Sequence, residues 1–313
     1  MPGRTALIVF NHNTENMSKI TVIGSSNMDL TVRTPRIPAR GETVFGGDVM
    51  MSFGGKGANQ AVAVARLGGD VRFITKVGQD ANGRLMLDHF AEEGMCTAGV
   101  IQDPESQSGS AWICVDNNGD NSIIVMPGAN GALTVADLKP FEDEIKSSEY
   151  LLMQLEVPME VIEYAADLAA SAGVKVILNP APACQLSDSL LSKVFALTPN
   201  ETECRLLCGS EASDDDKENA AVLYDKGVKN VIVTLGEKGS MLYNSDGIVT
   251  VPAKKVNSVD TVAAGDTYNG AFTVALSKGK SFVEAMEFAT AASAIAVTRA
   301  GAQASIPYAS ELE

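Results

Sequence analysis

Short apolar runs rich in β-branched residues recur along this chain, each followed by a stretch of helical periodicity. No other feature narrows the possible folds as much. The runs Ile20–Gly24, Val71–Val77, Tyr150–Leu155, Val174–Leu178, Val194–Leu197 and Val231–Leu235 read as strands buried on both faces. Between them the periodicity predicts helices over Ala58–Leu67, Gly83–Glu93, Met159–Ser171, Glu201–Cys208, Lys217–Lys226, Ala264–Lys278 and Phe282–Arg299. The last opens with Ser281 and Glu284 in capping-box spacing. Such alternation requires an α/β fold, with a mostly parallel central sheet and helices on both faces. Hydrophobic residues make up 45% of the 313 but aromatics only 5%, which suits a core of small and branched side chains.

Two stretches break the rhythm. Residues 29–51 alternate like an exposed sheet and hold several Pro and Gly, and residues 108–126 read as a hairpin turning at Asn117-Asn118-Gly119. Two insertions leaving one core predict a small β-sheet built from both, placed as a lid. Residues 1–18 read as an N-terminal extension, disordered or vector-derived. Residues 19–313 read as one domain that carries the lid.

The net charge is −15, from 24 basic and 39 acidic residues. A field of that sign repels polyanions and disfavours nucleic-acid or anionic-membrane partners. No run of eighteen apolar residues occurs, so no membrane span is expected. The five cysteines, Cys96, Cys114, Cys184, Cys204 and Cys208, are odd in number and form no CxxC pair. They read as reduced thiols of a cytoplasmic protein. Cys204 and Cys208 share a helix face, but His12 and His89 are the sole histidines, so packing is expected there rather than zinc.

Five segments carry possible chemistry. In NSVDTVAAGDTYNG, residues 257–270, the small residues Ala263, Ala264 and Gly265 precede Asp266 at a helix opening. Unpaired amides at such an opening can hold a phosphoryl group while the acid takes a proton from an attacking hydroxyl. An acid favoured by the helix dipole explains the isolated motif as well. FGGKGANQ, residues 53–60, lacks the Gly-x4-Gly-Lys spacing of a Walker loop, and its glycines also suit a tight strand-to-helix turn. Asn27 and Asp29 follow the first strand, where α/β sheets bind ligands, and could hold vicinal sugar hydroxyls or form an Asx turn. In TPNETE, residues 198–203, an Asn and two acids could order a metal-bound water or simply cap a helix. In TLGEKG, residues 234–239, the glycines suit either a nucleotide approach or a hairpin turn. A dinucleotide-dependent oxidoreductase is excluded, because the first strand runs into Gly24-Ser25-Ser26-Asn27 and not G-x-G-x-x-G.

Taken in order, GSSNMDL, FGGKGANQAVAVARLG, PGAN, LLMQLEVP, NPAPA, TPNETE, VTLGEKG and VDTVAAGDTYNGAF make the chain resemble the ribokinase-like family of carbohydrate kinases, also called the phosphofructokinase-B family. The resemblance covers about residues 19 to 308. It implies ATP-dependent phosphorylation of D-ribose at O5, with 2-deoxyribose, fructose or a nucleoside as alternative acceptors. A non-catalytic sugar sensor is the alternative from another class, and it should lack the base. The resemblance implies that Asn27, Met28, Asp29, Gly55, Lys56, Gly57, Ala58, Asn59 and Glu156 hold the sugar. Asp266 would be the base, and Ala263, Ala264 and Gly265 the anion hole. Asn200, Thr234, Leu235, Gly236, Glu237, Lys238, Gly239, Gly265, Asp266 and Thr290 would line the ATP site. Magnesium would sit near Asn200 and Glu203 through water. Potassium would sit among Asp260, Val262, Ala296, Arg299, Gly301 and Ser305, several through backbone carbonyls. A homodimer is expected through the lid, using apolar groups from the set Val44, Phe45, Met50, Trp112, Ile113, Ile123 and Val125. Two departures stand out: AAGD replaces the commoner GAGD, and Thr290 occupies a position where some relatives carry histidine.

Overall fold

The computed structural model describes residues 19–312, so the expected extension at 1–18 lies outside the described residues. Thirteen strands form two sheets among those residues. The strands are β1 (Lys19–Ile23), β2 (Asn27–Arg33), β3 (Val49–Gly54), β4 (Asp70–Gly78), β5 (Val100–Asp103), β6 (Gly109–Val115), β7 (Asn121–Met126), β8 (Tyr150–Met153), β9 (Lys175–Leu178), β10 (Val194–Leu197), β11 (Asn230–Thr234), β12 (Ser240–Asn244) and β13 (Gly247–Val251). The helices are α1 (Lys56–Arg66), α2 (Ala81–Glu92), α3 (Val135–Leu138), α4 (Glu142–Lys146), α5 (Met159–Ser171), α6 (Asp188–Leu191), α7 (Glu201–Cys208), α8 (Asp216–Asp225), α9 (Ala264–Ser277) and α10 (Phe282–Ala296).

The large sheet has the order β13-β12-β11-β10-β9-β8-β1-β4-β5. Seven of its strands run parallel, and at one edge β12 pairs antiparallel with β11 and β13 antiparallel with β12. Side-chain alternation divides the core into two layers. Ile20, Val22, Phe73 and Leu152 pack under α1, α2, α9 and α10, while Ile23, Ile74, Leu151 and Met153 pack against α5, α7 and α8. Cys204 and Cys208 are buried in the second layer. No helix among the described residues is long and apolar enough to cross a membrane.

The small sheet, β3-β2-β6-β7, joins both insertions, as expected for a lid. Its strands are shorter than residues 29–51 suggested. Pro35 and Pro38 lack the N–H that a ladder needs, and residues 34–48 run as an irregular loop. Helix α10 stops at Ala296, three residues before the expected Arg299. The next carbonyl, on Val297, accepts instead from the amides of Val259 and Asp260. Strands β5, β12 and β13 were not anticipated. For the last two a signal was present, since Asp246-Gly247 is a hairpin-turn pair.

Candidate active site

Strand order fixes where the site lies. From central β1 the chain moves to β4 and β5 on one side, then to β8 through β13 on the other. The carboxyl ends of β1 and β8 therefore meet at a switch in winding, where a crevice must open. Glu156 follows β8. Asn27 and Asp29 stand two apart on β2, which leaves β1 through Gly24, Ser25 and Ser26 alone. Extended geometry turns Asn27 and Asp29 to one side, while Met28, 2% exposed, belongs to the apolar core.

Helix α1 starts at once after β3. Gly55 makes the join with φ of 86°, in the left-handed region, and a side-chain carbon there would lie 2.8 Å from the Asn27 nitrogen. The helix start is thereby set against β1: the Ala58 amide donates to Ser25 O, and the Lys56 amide donates to Glu156 Oε2 at 3.0 Å. The Ser25 hydroxyl donates to the same Glu156 oxygen. Gly57 and Ala58 are buried in this join, so neither presents a side chain to the crevice.

Asp266 lies in the first turn of α9 and is 6% exposed. Asn59 Nδ2 donates to its Oδ2 at 2.8 Å, and Gln60 Nε2 donates to its Oδ1 at 2.9 Å. Lys56 stands half-buried nearby. Burial alone would lower its pKa, but the charges of Asp266, Glu156 and Glu203 outweigh that and raise it. Asp29 is pushed up to about 6, first by desolvation and then by the charge of Glu156. The buried oxygens Asp29 Oδ1 and Asn59 Oδ1 have no hydrogen-bond partner among the described residues. Two unpartnered acceptors, with a carboxylate beyond them, suit a ligand that brings hydroxyl donors.

Ala263 caps α9 at φ 59°, the sole non-glycine residue at positive φ among the described residues. The Ala264 amide donates to Thr261 O at 3.2 Å, and the Thr267 amide to Ala263 O at 2.8 Å. That leaves the Gly265 and Asp266 amides without a backbone acceptor among the described residues. Nothing lies within 4 Å of where a Gly265 side chain would begin, so an anion has room. Ala264, one of the expected anion-hole residues, thus has its amide already engaged. Ser293 on α10 donates to Ala264 O at 2.8 Å and braces this turn, a contact with no sequence signal.

Asn200 and Glu203 form the capping box of α7, the alternative that the sequence left open. Burial raises the Glu203 pKa, backbone N–H donation and Lys56 oppose it, and Asp266 adds to it. Residues 234–239 are likewise a hairpin connection between β11 and β12, with Gly236–Lys238 as an exposed 3-10 turn. Thr290 is buried on α10, and its hydroxyl has no hydrogen-bond partner among the described residues. Of the six expected potassium positions, Ala296 ends α10 and Ser305 lies in a 3-10 turn, while the stretches around 260 and 297–301 touch. Asp260 receives N–H donation from Val262 at 3.0 Å and from Gly301 at 2.9 Å. The Ala296 carbonyl accepts from the Arg299 amide, the Arg299 side chain pairs with Glu311, and Ser305 Oγ donates to Ala302 O. Sequence reading missed Ser25, Gln60, Asn130 and Gln154. Asn130 Nδ2 donates to Asn27 Oδ1 at 2.8 Å and so fixes that side chain.

With this geometry in place, comparison with known proteins gives one answer. The family model described as pfkB family carbohydrate kinase matches residues 17–309. The ribokinase of Haemophilus influenzae is 45% identical over 290 residues, covering 92% of this chain and 95% of that protein. The crystal structure of Thermotoga maritima ribokinase aligns with a TM-score of 0.89 at 39% identity, covering 95% of this chain and 98% of that one. Arabidopsis thaliana ribokinase complexed with ribose and ATP aligns with a TM-score of 0.87 at 32% identity, covering 95% and 97%. An open α/β sheet with a carboxylate at a helix opening, matched along nearly its whole length by one family model, leaves a single assignment: this chain belongs to the pfkB family of carbohydrate kinases.

Proposed function

We propose that this kinase transfers the γ-phosphoryl group of ATP to O5 of D-ribose, giving ribose 5-phosphate and ADP. One observation carries the reading. Asp266, with both oxygens held by amides of α1, stands beside unpaired helix amides and across from the orphan acceptors of Asp29 and Asn59. The ribokinase that is complexed with ribose and ATP supports the choice of both substrates.

In this mechanism Asn27, Asp29 and Asn59 take the ring hydroxyls and turn the 5-hydroxyl toward Asp266. Asp266 accepts that proton as the O5–phosphorus bond forms and the bond from phosphorus to the β,γ-bridging oxygen breaks. The Gly265 and Asp266 amides receive the negative charge on the phosphoryl oxygens. Thr234–Gly239 and Thr290 line the nucleotide. Glu203 and Asn200 offer hard oxygen donors at the start of α7 and would hold magnesium through water. When bound, that ion offsets phosphate charge. The oxygen-rich loops at 260–262 and 296–305 would take potassium. The domain spans 19–313, and its lid mediates a homodimer.

The test is ADP release measured with ribose, 2-deoxyribose, fructose and nucleosides. Ribose should give the highest kcat/KM. Asp266→Asn should fold normally and lose ~10²–10⁴ in kcat, the usual span for a general base. No ribose-dependent ADP release, or full turnover in Asp266→Asn, would overturn the reading.

A further inference from the structure

Asp266 does not stand alone at its helix opening. Gln60, 0% exposed, gives one Nε2 hydrogen to Asp266 Oδ1 and the other to Asn179 Oδ1 at 3.1 Å. Its Oε1 accepts from Gln154 Nε2 at 2.6 Å. Both Nε2 hydrogens are therefore used, and the acceptor oxygens of Asp266 and Asn179 fix the flip state of the amide. Asn179 Nδ2 donates in turn to Thr198 O at 3.1 Å. Thr198 Oγ1 donates to Asn269 Oδ1 at 2.5 Å, and Asn269 Nδ2 donates to Gly265 O at 2.8 Å. The path thus leaves Asp266 and returns to its neighbour, Gly265, after crossing α1, the ends of β9 and β10, and α9. Asn179, Thr198 and Asn269 are all buried.

We propose that Gln60 is the positioning residue of this kinase. Backed by Gln154 and the buried path through Asn179, Thr198 and Asn269, it holds the reactive carboxylate of Asp266 and the Gly265 peptide in one fixed relation. Gln60 is sealed from solvent, so it acts through Asp266 and does not touch sugar. Burying several side-chain amides together costs free energy unless they are paired, and the path from Gln60 through Asn179, Thr198 and Asn269 is paired at every step, which favours a single arrangement. An N–H donor on a carboxylate also favours its ionised form, the form a base needs. Charges that reach Asp266 are Lys56 on α1 and Glu203 on α7, and neither touches Gln60.

The inference rests on Asp266 being the base, so the experiment carries Asp266→Asn beside the Gln60 variants. Gln60→Met keeps volume and removes the donor. Its kcat should fall by ~10-fold or more, and the acid limb of its kcat–pH profile should move up by about one pH unit, with ribose KM within about twofold. Gln60→Glu should move the limb further, because two carboxyls would then share one proton. Gln154→Met leaves both contacts to Asp266 in place but frees the Gln60 amide, so its limb should move the same way by less. This variant decides the matter if Gln60→Met fails to fold. An acid limb that stays put in Gln60→Met and Gln154→Met, while Asp266→Asn is inactive, would overturn the role of Gln60 and leave the base intact. Full turnover in Asp266→Asn would remove the base, and the inference with it.

Discussion

At the scale of single residues, the proposed sugar ligand Asp29 carries a burial cost that opposes stability. Its carboxyl is half-buried beside Glu156, with one oxygen unpartnered, and its pKa is raised from 3.8 to about 6. Below pH 3.8 it is protonated in both folded and unfolded chains. Between 3.8 and about 6 the unfolded chain releases the proton first, so the native state loses stability as pH rises. Above about 6 the native protein carries the whole penalty, at most about 3 kcal/mol and less where solvent screens the group. Asp29→Asn should therefore raise the melting temperature of the sugar-free protein at pH 8, and the gain should shrink toward pH 4. The same variant should raise the ribose KM by about tenfold or more, since a charged acceptor is lost. In the wild type, ribose KM should climb as pH falls through the Asp29 transition. A variant that is neither more stable nor weaker for ribose would show that Asp29 does not face the sugar. The pair Asn27 and Asp29 was legible in sequence because strand alternation alone sets two such side chains on one side. The rise in the Asp29 pKa was not, because it comes first from burial in the folded chain and then from Glu156, more than a hundred residues away.

At the scale of elements, the opening of α9 depends on one unusual backbone angle. Alanine at φ 59° costs roughly 1–2 kcal/mol in the left-handed region, and glycine would cost nothing there. Glycine also gives the unfolded chain more freedom, worth roughly 0.4–1 kcal/mol. Ala263→Gly should thus be neutral to about 1 kcal/mol stabilising in denaturant titration, with turnover retained. Ala263→Val should destabilise by more than 1 kcal/mol and lower kcat, because a β-branched residue resists this conformation, as a rule by about that much or more. Strong destabilisation by glycine would mean that the methyl group has a packing role. The helices were readable from periodicity, and α5 and α7 begin and end where their patterns do. The ring through Gln60 was not readable. Its members are scattered over five segments, and nothing in one sequence distinguishes a polar residue tied to Asp266 from a polar residue on a surface.

For the whole molecule, the small sheet leaves an apolar face on the surface. Met51, Leu30, Trp112 and Ile124 stand opposite one another across β3, β2, β6 and β7, in a register row that alternates with the row of Asp29. Met51, Trp112 and Ile124 are each more than half exposed. An exposed apolar row on a small sheet suits a twin lid. Sedimentation at micromolar concentration should give a dimer, and Trp112→Glu should give a monomer. A wild type that sediments as one chain, with and without ribose, would rule out the dimer. Replacing sodium with potassium at constant ionic strength should raise activity if the loops around Asp260 hold that ion, and equal rates would count against it. The exposed row was only partly legible. Alternation marked Trp112, but Met51 and Ile124 needed the register between strands that lie far apart in sequence.

One further consequence follows from the position of β2. Asn27 and Asp29 are carried by the lid, while Asp266 is anchored in the core. On the proposed mechanism, an opening of this sheet would take the grip on the acceptor away from Asp266 and leave nothing oriented for attack. Sugar occupancy and closure would then be one equilibrium. A molecule holding ATP alone would lack an aligned nucleophile, so water would be a poor substitute for the hydroxyl and the nucleotide would be spared from idle hydrolysis.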